Sequence, residues 1–417
     1  MQFFRKYKNV LSALSINAIE SFDFVLYGYY ATLIAPIFFP DNDLKATQLK
    51  ALLVFAAMFL MNPLGGLIFG HIGDKYGRKK SLIISVLVIS IPTFCIGVLP
   101  GYAQLGFLAP TFLVILLSVQ GLGAAAANSG AAIFLNEHAK PNTKALFSGL
   151  LFSAAFMGAA MASLLGIFFV SHYPEWGWRA VFVIGAVLGL LILILRNSIE
   201  ETPLFKTSYK NKTEKTKTPF REILKKNKRN LLATMGIAAG ANLPFYVILI
   251  YINTILSSDL HISNANILMY NVVILLFWSI SLPFFGHLGD RIGEKRLMLI
   301  ASTLLIIVPI PLMKWFLSEK TVFSLMIGRV ALSLVAMGVV APCSAYLARL
   351  FSIHERQTGV GFGYFTGSAI FGGTAPSVCL YCTQAFNADL FPAIYLAFGG
   401  ALSALSLWVS KPKDTHH

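Results

Sequence analysis

Twelve apolar runs follow one another along this chain, most of them separated by short polar connections. Their approximate centres are Asp23, Leu60, Leu87, Leu117, Met157, Val187, Phe245, Leu275, Leu305, Val335, Ala369 and Phe398. Crossing a bilayer takes about 20 apolar residues per helix. Lipid offers no partner to backbone N–H and C=O groups, so a spanning segment is either a helix or a strand of a closed barrel. Barrel strands alternate apolar and polar residues over about ten positions, whereas these runs are longer and unbroken. The expected fold is therefore all-α, with twelve transmembrane helices. Composition agrees: 56% of the 417 residues are hydrophobic and 12% are charged, against about 25% charged in a soluble protein. That balance argues against a soluble enzyme and leaves no stretch for a separate soluble domain.

The formal charge is +15, and the position of the basic residues explains it. Lys and Arg concentrate at the N-terminus, in the connections after runs 2, 4, 6, 8 and 10, and at the C-terminus. The exceptions are Lys45, Lys50, Arg179, Lys314, Lys320 and Arg329. Cytoplasmic loops carry an excess of Lys and Arg, so both termini are expected in the cytoplasm of a bacterial inner-membrane, multi-pass protein. Nucleic acid is not the reason for the charge. Trp176, Trp178 and Trp315 sit near the opposite span ends, where interfacial aromatics belong.

The connection around residues 196–229 is the only long one, and it divides the runs six and six. The expected domains are a six-helix half over 1–195, a basic cytoplasmic linker over 196–229 and a second six-helix half over 230–417. Of the four cysteines, Cys379 and Cys382 form a CxxC inside an apolar run with no second pair. Packing is the expected role, and no metal or cofactor is implied. His71, His138, His287 and His354 fall at cytoplasmic span ends. No nucleotide loop or nucleophile–base pair stands out, so no enzymatic activity is expected.

An internal repeat supports the division. Residues 70–80 read GHIGDKYGRKK after run 2, and residues 286–296 read GHLGDRIGEKR after run 8. Duplicated six-helix halves with a substrate site between them are one established transporter architecture. The first copy matches G-x-x-x-D-x-x-G-R followed by two basic residues, through Gly70, Asp74, Gly77, Arg78, Lys79 and Lys80. On this motif the chain resembles the major facilitator superfamily. The resemblance implies that Gly70, Asp74, Gly77 and Arg78, with Asp290 in the second copy, form a conformational latch between the halves. Glycine permits a tight turn, and a carboxylate is attracted to a helix N-terminus. Asp74 is expected near the start of run 11, around Gln357 to Gly359.

Further segments resemble the metabolite:proton symporters, which include proline/betaine, citrate, 2-oxoglutarate and shikimate transporters. They are Asn17 to Phe24 (NAIESFDF), Tyr27-Gly28, Phe38-Phe39-Pro40, Pro63-Leu64-Gly65-Gly66, Trp176 to Arg179 (WGWR), Glu200 to Pro203 (EETP) and Phe371 to Pro376 (FGGTAP). The resemblance implies alternating-access symport of a small carboxylate or zwitterion with protons, in a chain expected to act as a monomer in the lipid bilayer. A uniporter or exporter of the same fold is the alternative, and a non-transporting receptor a more distant one.

Ionisable groups inside the membrane are costly and mark function by default. Run 1 holds Glu20 and Asp23, which cannot both ionise easily in low dielectric; they are the expected proton-coupling pair. Spacing places Asn17, Glu20, Tyr27 and Asp23 toward one helix face, expected to point into a central cavity. Arg329 lies within run 10. It could hold a substrate carboxylate, be neutralised by Glu20 or Asp23, or act as an outer gate. Neutral candidates for substrate contact are Tyr27, Asn62, Gln120, Asn128, Asn242 and Tyr246, with Asn271, Tyr346 and Tyr364 as further polar groups in the spans. Asn62, Leu117 and Ala127 stand where many of these symporters carry charge. Those departures imply a less highly charged ligand than citrate, or an arginine relocated to position 329.

Overall fold

Each of the twelve runs lies on helix in the computed structural model, which describes residues 2–40, 44–173, 175–197, 219–258 and 260–413. The first six are α1 Gln2–Phe38, α2 Leu44–Tyr76, α3 Arg78–Val98, α4 Leu108–His138, α5 Lys144–His172 and α6 Gly177–Asn197. α7 runs over Lys228–Tyr246, passes through a π-helical turn at Val247–Tyr251 and ends as Ile252–Ser258. α8 is Asn264–Ile292. α9 has two segments, Glu294–Ile307 and Pro309–Glu319, that meet at 45°. α10 is Val322–Ala348. α11 starts as Arg356–Gly367, turns π-helical over Ser368–Gly373 and resumes as Ala375–Phe386. α12 is Phe391–Val409. Most of the 196–229 linker, residues 198–218, lies outside the described residues.

Among the described residues, nine helices are individually long and apolar enough to cross a membrane, or ten with the bent α9 taken as one span. The other two runs, on α6 and α11, are outside that number. The part of α6 whose side chains are described is Gly177–Leu191. α11 is broken by a turn at Thr374, between its π-helical stretch and the segment that starts at Ala375. The bend in α9 falls at Pro309, which lacks the amide needed to continue the hydrogen-bond ladder. Prolines inside α1, α2, α3, α7, α8 and α10 are accommodated without a break in the helix.

The outward faces carry large apolar side chains in the open, among them Leu60, Phe284, Phe323 and Trp408. Such a surface suits hydrocarbon, where helix association rests on close packing rather than on escape from water. The helix pairs repeat across the molecule. α2 packs on α4 as α8 packs on α10; α3 packs on α6 as α9 packs on α12; α1 packs on α5 as α7 packs on α11. The two most extensive pairings between the first six helices and the last six are α2 along α11 and α5 along α8. Under the repeat these are one pair seen twice, because α2 corresponds to α8 and α5 to α11.

Candidate functional site

The repeated loops close one end of the bundle. In both, the last glycine of the motif takes a backbone conformation that other residues adopt at a cost: φ is 106° at Gly77 and 97° at Gly293. Each starts the next helix at once. The first motif glycine has a different duty. Gly70 lies against the backbone of Thr358, and Gly286 lies against the backbone of Ala145, so a side chain at either would overlap main chain. That closeness brings Asp74 to the start of α11 and Asp290 to the start of α5.

The two carboxylates then accept from the free N–H groups that begin a helix. Asp74 accepts from the Thr358 amide at 2.9 Å, the Thr358 hydroxyl at 2.7 Å and the Gln357 amide at 3.3 Å. Asp290 accepts from the amides of Ala145 and Leu146, each at 2.9 Å. The expected meeting of Asp74 with Gln357 and Thr358 is thus observed. The Arg78 side chain lies outside the described residues. Further contacts across the same seam are Arg356 to Glu137 at 3.5 Å, the Ser344 hydroxyl to Ser148 at 2.8 Å, and the Ser153 hydroxyl to the Ser279 carbonyl at 2.6 Å.

Beyond this seam lies a central cavity of about 160 Å³, walled by α1, α2, α4 and α5 on one side and by α7, α10 and α11 on the other. Ten aromatic side chains line it, from Phe24 and Tyr29 on α1 to Tyr364 and Phe365 on α11. No Asp, Glu, Lys or Arg is among the described residues that line it. Polar groups come from Ser21, Asn62, Ser129, Asn242, Tyr246, Ser344 and Ser368, among others. Asn62 is 1% exposed, and neither atom of its amide has a hydrogen-bond partner. That is a costly state for a buried amide unless a ligand or water serves it. Asn242 donates to the Ala238 carbonyl at 2.8 Å. The two π-helical stretches both border the cavity, which they meet through Leu249, Ile250 and Ser368.

Of the expected contacts, Asn62, Asn242 and Tyr246 line the cavity, and Tyr27, Gln120 and Arg329 do not. The Asn128 side chain lies outside the described residues. The expected cavity face of α1 is also corrected. Ser21, Phe24, Val25, Gly28 and Tyr29 face the cavity; their spacing of three and four residues marks one helix stripe. Glu20, Asp23 and Tyr27 lie off it and are buried. The Asp23 carboxylate packs against Gly185 and Gly189 of α6, with Ser90 of α3 beside Gly189. Gln120 donates to the Asp23 carbonyl at 3.2 Å and to Thr93 at 3.0 Å. Asn17 donates to the Leu151 carbonyl at 2.8 Å. The side of α1 is therefore set by the glycine pair four residues apart on α6, which leaves space for a carboxylate. That pair was the available signal in the sequence.

Arg329 is fully buried, and one guanidinium nitrogen donates to the Asn271 side-chain oxygen on α8. Among the described residues no carboxylate lies within ion-pair distance of it, so neutralisation by Glu20 or Asp23 is not what this structure holds.

A twelve-helix bundle in two matching sets, sealed at one end by a duplicated glycine–carboxylate loop around a central cavity, defines a secondary transporter. The family model of the Major Facilitator Superfamily matches residues 22–278 and 231–417, and the chain belongs to that superfamily. The proline/betaine transporter of Salmonella typhimurium is 32% identical over 426 residues, which is 96% of this chain and 83% of that protein. The alpha-ketoglutarate permease of Escherichia coli is 31% identical over 380 residues, 89% of this chain and 86% of that protein. The solved structure of the proton:xylose symporter XylE bound to 6-bromo-6-deoxy-D-glucose shares the fold, with a TM-score of 0.79 at 15% identity over 97% of this chain and 95% of that one.

Proposed function

We propose that this chain takes up a small zwitterionic or singly charged carboxylate metabolite together with protons, by alternating access in a bacterial inner membrane. One observation carries the reading. The cavity between the two sets of helices is uncharged and aromatic, and is closed at one end by carboxylates that cap helices of the opposite set. Residues 1–195 and 230–417 act as two halves that rock about the cavity, joined by the linker at 196–229. The sealed end, with both termini, faces the cytoplasm, as the basic loops require. The chain acts as a monomer.

Asn62, Asn242 and Tyr246 contact the solute, and the aromatic wall suits the cationic end of a zwitterion. Asp23, with Glu20 one turn away, is the proton site. Its burial within the first half, away from the cavity stripe, lets a proton be held without touching the solute. Tyr27 and Gln120 support the packing of that half. Gly70, Asp74, Gly77 and Arg78 in one loop, with Asp290 in the other, form the latch.

The test is uptake into proteoliposomes with and without an inward proton gradient, using proline, betaine, 2-oxoglutarate and citrate as labelled solutes. Gradient-driven accumulation of a zwitterion, lost in Asp23→Asn, is the expected result. Equilibration that ignores the gradient would make the chain a uniporter and return Asp23 to a structural role. Accumulation of citrate alone would overturn the substrate class.

A further inference from the structure

Among the described residues Arg329 has no counter-charge. It stands seven residues into α10, roughly 10 Å along the axis from the end opposite the latch. An arginine at that depth can reach for the interface, yet this one is fully buried. Its turn is fixed from behind: the Trp278 indole donates to Ser333 at 2.7 Å, and Ser333 donates to the Arg329 carbonyl at 2.6 Å. Asn271 holds one end of the guanidinium. The other two nitrogens, Nε and Nη1, have no partner. The Trp278 ring packs against Phe156 at 5.0 Å and Phe245 at 6.3 Å, two rings that line the cavity. Helices α8 and α10 thus hold an unneutralised guanidinium behind the cavity wall.

Burying a lone charge is strongly unfavourable, and removing it from water without a partner is worse than leaving a pair intact. The planar fork of arginine matches a carboxylate, and no charged residue is among the described residues that line the cavity. We propose that Arg329, oriented by Asn271, is a carboxylate subsite whose counter-charge is the transported solute. Binding of the carboxylate neutralises the guanidinium, and that neutralisation favours closure of the non-latch end around the solute. The empty carrier closes there at a penalty, so a solute without a carboxylate does not promote closure. This rests on the reading of the cavity as the transport path, and it assigns the anionic end of the solute to a residue outside the cavity wall.

The experiment combines a binding readout that needs no transport with one that does. Purified wild type, Arg329→Met and Arg329→Lys are melted in detergent with and without proline, betaine, 2-oxoglutarate and prolinamide. The same proteins are then assayed for uptake. Arg329→Met is expected to melt higher than wild type without ligand, because the unpaired charge is gone, and to lose stabilisation by carboxylates. Its KM for the carboxylate solute should rise by at least about 30-fold, and its preference for proline over prolinamide should vanish. Arg329→Lys keeps the charge and loses the fork; its KM should rise by about 10-fold. It also serves as the test if Arg329→Met does not fold. Lower melting of Arg329→Met with carboxylate stabilisation intact would make Arg329 structural and overturn the proposal. So would an unchanged proline-to-prolinamide preference in either variant. Carboxylate stabilisation that depends on Arg329 in a protein that transports nothing would uphold the subsite and sink the transport reading instead.

Discussion

In the last turn of α2, a carboxylate meets the start of α11 in a buried setting; in the last turn of α8, its counterpart in the repeat meets the start of α5 half-buried. Both loops keep the glycine that allows close approach, the aspartate that caps the helix and the glycine at positive φ. They differ in the bonds the carboxylate makes and in the charge that follows the last glycine. Asp74 is 8% exposed and, among the described residues, accepts three hydrogen bonds, one of them from a hydroxyl; Asp290 accepts two, both from backbone. Where the first loop has Arg78, the second has Glu294, which pairs with Arg349 on α10 at 3.2 Å. Glu294 thus binds within the last six helices, while Asp290 binds across to the first six. The parts that survive duplication are those set by backbone geometry. The charge that follows is free to change, provided its new neighbour suits it. One seam is therefore closed by two latches of unequal strength.

Asp74→Asn should break that comparison most. The substitution keeps the shape and removes the charge that makes the bonds strong, at about 1.5–3 kcal/mol for a bond to a charged group. Hydrogen exchange at the Gln357 and Thr358 amides should accelerate by one to two orders of magnitude, with no comparable change at Ala145 and Leu146. Equal acceleration at both places would show that the latches open as one unit. Asp290→Asn should act in the same direction with a smaller effect, about 1–2 kcal/mol, because its carboxylate is better solvated to begin with. Exchange at Ala145 and Leu146 reports it. Thr358→Val deletes the hydroxyl bond and leaves both amide bonds, which makes the first latch resemble the second. The expected loss is about 1 kcal/mol, and the exchange rates at the two helix starts should draw together. Glu294→Gln should matter least. Arg349 is 42% exposed, so solvent screens the pair and about 0.5 kcal/mol or less is at stake. A melting-temperature change too small to resolve is the expected reading.

How much of this could be read from the sequence follows from which forces decided it. The helices were legible because lipid leaves the backbone no other way to satisfy itself, and the loops were legible because a turn with positive φ and a close approach both demand glycine at fixed spacing. The resemblance to the superfamily, rather than that geometry, placed Asp74 near Gln357 to Gly359. The face of α1 was not legible. Polar residues occur all around that helix, and the deciding partner, the Gly185 and Gly189 pair, is some 160 residues away in the chain. Asn62, Asn242 and Tyr246 were found as polar groups in apolar runs. The aromatic wall was not, since a Phe in a span reads as packing until the surrounding space is known. Arg329 was visible as a buried charge, but only the three-dimensional neighbourhood could show that it lacks an acid.

The π-helical stretches have a mechanical consequence. In the last six helices, α7 and α11 are each interrupted beside the cavity, whereas their counterparts α1 and α5 run through as single helices. A π turn carries one residue more than the α-helical ladder can hold in register, so the segments on either side can pivot at small cost. The molecule thus sets two stiff rods against two jointed ones. The joint at Ser368–Gly373 divides α11 into the segment that meets the latch and the segment at the far end, which leaves the two ends free to yield at different moments. A carrier needs that staggering to keep its two doors from standing open together.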